Sequence, residues 1–162
     1  MNVVIYADPN TPSPSGVKVL YPALDTAEEI ASKFLDPEGV TYSIADVSVI
    51  PYAPYIGPAL TVEIVNGAPV FDWDLPAAKE MATKYNSTYW QDQYDSGLLG
   101  LSISNDYQLQ LAIATPENER TADQVAAVEF LSGLNGLQAQ VQTQIDSATT
   151  GEELIQILSQ LG

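Results

Sequence analysis

Hydrophobic and polar positions along the first third of the chain follow two periods, and the switches between them mark out the elements. Val3 to Tyr6 form a short apolar run that ends at the proline-rich DPNTPSPSG, a surface turn in which Gly16 is free to take a positive φ. VKVLY then alternates, with Val17, Val19 and Tyr21 on one face, and Pro22 ends that strand. After Thr26 the period becomes helical, with Ala27, Ile30 and Phe34 on one stripe. Thr26 and Glu29 make a capping box: the hydroxyl accepts from the Glu29 amide while the carboxylate accepts from the Thr26 amide. Pro37 and Gly39 stop the helix. Val40 to Ala45 alternate again, with Tyr42 and Ile44 facing one way, which completes a strand-helix-strand unit.

SVIPYAPYIGPAL, with three prolines and two tyrosines, predicts an extended surface segment or a sheet edge over 48–59, since proline lacks a strand donor. A hairpin follows in LTVEIVNGAPVFDWD, where Asn66-Gly67 fills the two positive-φ positions of a type I′ turn. Across it, Val62 and Ile64 are expected to share a face with Val70 or Trp73. Asp74 suits a helix N-cap with Pro76 in the first turn, opening a helix over 75–96. Its apolar side is Ala78, Met81, Ala82, Tyr85, Tyr89 and Trp90. LLGLSIS and YQLQLAIA both alternate around SND and predict a second hairpin over 98–113, although Leu, Gln and Ala also favour helix there.

Beyond TPENERTADQ the composition shifts to Gln, Ala, Leu and Ser, with no proline and no tyrosine. Thr121 with Gln124 is another capping box, ahead of a stripe at Val125, Val128 and Leu131. Gly133 and Asn135-Gly136 are expected to break or bend that helix. Leu137, Val141 and Ile145 then recur every four residues, and Thr149 with Glu152 caps a last helix whose Leu154, Ile157, Leu158 and Leu161 share a face. The expected fold class is α+β. Residues 1–115 form a small domain of β-α-β unit and hairpin; 116–162 form a helical C-terminal region of two or three short amphipathic helices. So small a helical region rarely stabilises itself, so its stripes need the first domain, a second copy of the chain or a partner to cover them.

Composition narrows the function classes. Twenty-one acids face five bases, a formal charge of −16, so the surface repels nucleic-acid phosphate and anionic lipid alike. The same charge keeps the chain soluble and can steer it to a basic partner. No apolar run is long enough for a membrane span, and MNVVIYADPN lacks the basic and apolar regions of a signal peptide. With no cysteine there is neither a disulfide framework nor a thiolate site, and the compartment stays open.

Catalysis has little to work with. The chain has no histidine and no cysteine, and no GxSxG, GxxxxGK[ST] or GxGxxG motif. Asp72 and Asp74 in FDWDL are the obvious carboxylate pair, and a carboxylate-based hydrolase is the remote enzymatic reading. The competing reading makes Asp72 a solvated strand end and Asp74 a cap. Asp92, Asp95 and Gly97 do not have the spacing of a calcium loop, so no metal or cofactor is expected. Aromatics concentrate in the middle third. Tyr and Trp bring stiff contact area with a polar tip, so Tyr52, Tyr55, Tyr89 and Trp90 are candidate partner-binding residues, together with the stripe Leu154, Ile157, Leu158 and Leu161.

VKVLYPALDTAEEIASKFLDPEGVTYSIADVSVIP resembles a pattern in small tailed-phage proteins encoded beside tail-fibre genes. Its elements are Pro22 ending a strand, Glu28 to Ala31, the Pro37 to Gly39 turn, Tyr42, Ile44 and Asp46 in the next strand, and Ile50-Pro51. Val65 to Met81 is similar to the hairpin and acid-capped helix that follow in that group, so the likeness runs over about residues 17–85. The next helix is Arg-rich in the group, whereas YNSTYWQDQYDSG here is acidic and aromatic. The resemblance implies a tail-fibre assembly chaperone, partnered by a fibre or other tail protein in the host cytoplasm. The alternative is a structural component of the virion: tail, neck or capsid accessory protein.

Overall fold

Three consecutive residues of the first strand, Val3, Val4 and Ile5, are fully buried, and a strand can bury neighbours only if both its faces are covered. In the computed structural model, which describes residues 1–10, 15–100 and 106–161, that strand is β1 (Asn2–Ala7). It lies inside a five-stranded sheet with β2 (Ser15–Leu20), β3 (Tyr42–Asp46), β4 (Leu60–Val65) and β5 (Ala68–Trp73). Every strand pairing is antiparallel and the order is β3-β1-β2-β4-β5, so the fold class is α+β. Contacts group the chain into two compact units, one of Met1–Met81 with Thr149–Ile155 and one of Ala82–Ala148 with Gln156–Gly162, which is a different grouping from a division at 115/116.

In the first unit, the strands of the β-α-β pattern flank β1: Val4 is opposite Leu20 on one side and Ile44 on the other. One face of β1 joins a cluster drawn from all five strands, Val3 and Ile5 with Val19, Ala45, Val62 and Phe71. The edge strands β3 and β5 bring Cα atoms within 8 Å of each other, so the sheet curls around this cluster. The other face carries Val4 against α1 (Ala27–Phe34). The Thr26 capping box forms, with Glu29 N donating to Thr26 Oγ1 at 3.2 Å and Thr26 N to Glu29 Oε2 at 2.8 Å. Phe34 does not belong to the buried stripe. It is 62% exposed, and the sheet is met instead by Ala27, Ala31 and Leu35, each a turn apart, with Ile30 partly buried beside them.

The hairpin turns at Asn66 and Gly67, with φ of 53° and 80°, and its register sets Val62 opposite Phe71 and Leu60 opposite Trp73. Trp73 therefore shares the face of Val62. Val70 is opposite Glu63 on the other face and is half exposed. The 48–59 segment is no strand: two short 3-10 turns, Val47–Val49 and Gly57–Ala59, fold it back so that Ile56 and Ala59 enter the core. Asp46 caps the first of these turns, accepting from Ser48 N at 3.0 Å.

Helix α2 (Leu75–Gly100) starts as expected, with Ala77 N donating to Asp74 Oδ1 at 3.1 Å, but it runs past 96. The second hairpin at 98–113 is not formed by the described residues. α2 extends to Gly100 and Asp106–Ala114 is a helix, α3; residues 101–105 lie outside the described ones. In the second unit the C-terminal region is not a set of short helices. A single helix of 26 residues, α4 (Ala122–Ser147), runs through Gly133 and Gly136. Its capping box forms at Thr121 and Gln124, and its buried positions are Ala127 and Ile145. Val125 and Val128 are only half-buried, and Leu137 is 49% exposed. Arg120 accounts for the end of α3: its guanidinium donates to the carbonyls of Ala112 and Thr115, both at 3.0 Å, and so covers two of the helix's last free acceptors.

The glycines inside these helices differ in kind. At Gly97 a Cβ would collide with the Phe130 ring, so α2 and α4 use the missing side chain to approach. At Gly133 and Gly136 a Cβ would meet nothing within 4 Å. Gly133→Ala and Gly136→Ala are therefore expected to stabilise the chain by about 0.5–1 kcal/mol each, through helix propensity and a less mobile unfolded state. A denaturant titration measures this, and destabilisation by either change contradicts an open helix face there.

Candidate functional site

The four candidate aromatic residues fall two in each compact unit. Tyr52 and Tyr55 sit in the first unit, where Tyr52 is 86% exposed and Tyr55 adopts a positive φ of 70°. Tyr89 and Trp90 belong to the second, their rings in an edge-to-face contact with centroids 5.1 Å apart. The stripe Leu154, Ile157, Leu158 and Leu161 does share a face of α5 (Gly151–Ser159) and the turn just beyond it. Leu154 and Leu158 are fully buried there, with Ile157 and Leu161 half-buried, so this stripe serves the chain's own packing.

The FDWDL carboxylates are both occupied by backbone. Asp72 Oδ1 accepts from Trp73 N at 2.8 Å, and Asp74 caps α2. Between them, Trp73 turns its indole toward the start of α5, where Nε1–H donates to Glu152 Oε1 at 2.8 Å and the ring occupies the space a Cβ on Gly151 would need. With Glu152 engaged, the cap of α5 falls one residue later than expected. Glu153 N donates to Thr150 Oγ1 at 3.2 Å, while Glu153 Oε2 accepts from Thr149 N at 2.6 Å and Thr150 N at 3.3 Å. The Thr149 amide and hydroxyl, followed by the Thr150 amide and the Lys79 charge, hold the Glu153 carboxyl below its ordinary range. A recess of about 220 Å³ beside this junction is lined by Phe71, Trp73, Thr150 and Glu152 among others.

A further recess belongs to the second unit. It is a cleft of about 480 Å³ between α2, α3 and α4. Trp90 and Tyr94 line it from α2, one turn apart, above a floor that includes Leu109 and Leu131. Its polar lining is almost entirely neutral amide, from Gln91, Gln110, Asn135 and Gln138. Asp95 is its one carboxylate, and Oδ1 already accepts from Gln91 Nε2 at 2.9 Å. One turn before Trp90 on α2, and not among the cleft-lining residues, Asn86 is 1% exposed. Its amide nitrogen donates to Gln138 O and Gln142 Oε1, both at 3.3 Å. The Asn86 Oδ1 and the Trp90 indole N–H are buried without a hydrogen-bond partner in the protein.

No family model, curated protein or solved structure matches this chain. Among the described residues no cluster of carboxylates is arranged to hold a metal ion, and no helix is long and apolar enough to cross a membrane. Of the cleft residues, only Trp90 was legible as a candidate. Asn86 had a signal, since it continues the spacing of buried Ala78 and Ala82 by four, but a polar residue at that position does not stand out by hydropathy. The amides of α3 and α4 converge only once 106–114 is a helix.

Proposed function

We propose that this chain is a non-enzymatic, tail-fibre-associated protein of a tailed bacteriophage that acts as an assembly chaperone for the fibre subunit. The observation that carries this reading is the ordered series of motif residues from Pro22 through Ile50-Pro51, continued by the hairpin and capped helix of Val65 to Met81. Those motif residues have structural work to do: Glu29 closes a capping box, Gly39 takes a φ of 67° behind α1, and Asp46 caps a turn. Binding suits the chain better than chemistry, because it holds no imidazole or thiol and the Asp72 and Asp74 carboxylates are spent on backbone amides. Tyr21, Leu24, Phe34 and Tyr52, all more than half exposed on the first unit, offer contact area for an immature subunit.

Co-expression with a tail-fibre subunit of the same phage tests this. The expected result is a rise in soluble fibre trimer that Tyr52→Ala and Phe34→Ala reduce. Unchanged fibre yield overturns the chaperone reading. Mass spectrometry of mature particles separates the two roles: the chaperone is absent from them, whereas a fixed number of copies per particle identifies a retained component.

A further inference from the structure

We propose that the cleft between α2, α3 and α4 is a binding site for a neutral polyhydroxylated ligand of the saccharide class. The proposal stands apart from the fibre reading and survives its failure. A cleft of about 480 Å³ falls within the roughly 300–1,000 Å³ typical of small-molecule sites.

The lining selects the chemistry. On a chain with 21 acids and five bases, this recess holds one carboxylate and no cationic side chain. An anionic ligand finds no counter-charge. A cationic ligand finds only Asp95, which is already engaged by Gln91. The side-chain amides of Gln110, Asn135 and Gln138 remain, and each presents donors and an acceptor together. Hydroxyl groups are the ligand atoms that match this mixture, because each can give and accept. The opposite requirement is met by Trp90 and Tyr94, whose rings supply the flat apolar surface that the C–H face of a sugar ring packs against.

The test uses the full chain. Its two indole N–H resonances, from Trp73 and Trp90, are followed while glucose, N-acetylglucosamine, maltose and their uronic-acid counterparts are titrated in turn. The expected result is a saturable shift of the Trp90 resonance with at least one neutral sugar, with the Trp73 resonance unmoved. Gln110→Ala, at an exposed rim position that leaves the fold intact, is expected to weaken that binding roughly tenfold, the equivalent of about one hydrogen bond. Trp90→Leu removes the flat aromatic surface and should weaken it comparably. Silence of the Trp90 resonance across the neutral panel overturns the proposal. So does a shift produced only by the uronic acids, or saturable binding of an uncharged peptide at the same resonance while the sugars leave it unmoved.

Discussion

Ile5→Ala is expected to cost about 2–5 kcal/mol, the range for truncating a large aliphatic side chain in a packed core. Ile5 is fully buried, its backbone flanked by Val19 on one neighbouring strand and Ser43 on the other. Its side chain meets a cluster contributed by every strand of the sheet. Because β1 is hydrogen-bonded on both sides and covered on both faces, the strand has no direction in which to shift and fill the void, which places the cost toward the upper end. Whole domains are stable by only about 5–15 kcal/mol, so the variant should melt at far lower denaturant. The comparison is Val70→Ala, half exposed on the outer face of β5, for which a change of about 0.5 kcal/mol or less is expected. Denaturant unfolding followed at the Trp73 indole resonance, which reports on the same unit, measures both. Equal losses at the two positions would show that β1 is not the shared core strand.

What the sequence disclosed follows from how local each cause is. Capping boxes at Thr26 and Thr121, the Asn66-Gly67 turn and the alternation of Val17 and Val19 are settled within a few residues, and all of them form. YQLQLAIA was ambiguous because α3 is apolar on both sides. Leu109 and Ala112 are buried at helical spacing, while Tyr107, Leu111 and Ile113 remain exposed around them, and that interleaving imitates a strand. Gly133 and Gly136 did not break α4, since a propensity cost of about 1 kcal/mol each is outweighed by burial elsewhere along 26 residues. The cleft was illegible for a related reason: its walls come from three helices, and one of them read as a hairpin. The α5 cap shows the limit most clearly. Thr149-Glu152 and Thr150-Glu153 both fit the local rule, and the choice between them rests on Trp73, more than 70 residues away in sequence, which claims the Glu152 carboxylate.

That long-range choice makes Gly151→Val the second large expected effect, a loss of roughly 1–3 kcal/mol or more from overpacking. The Trp73 ring lies where the new side chain must go, and the atoms it would strike are at the base of the indole, which cannot swing clear without moving the whole residue. Moving it breaks the 2.8 Å bond from Nε1–H to Glu152 and frees that carboxylate to compete for the cap that Glu153 now holds. Gly151→Ala should show a smaller loss of the same origin. The decisive measurement is a double-mutant cycle: with Trp73→Ala in place, Gly151→Ala should cost far less than it does alone, because the ring it strikes is gone. Strict additivity would mean that glycine is needed at 151 for its backbone and not for the indole above it. A rescue of more than about 0.5 kcal/mol, the usual bound for independent sites, would show that the junction of hairpin and last helix is set by this one ring against one missing side chain.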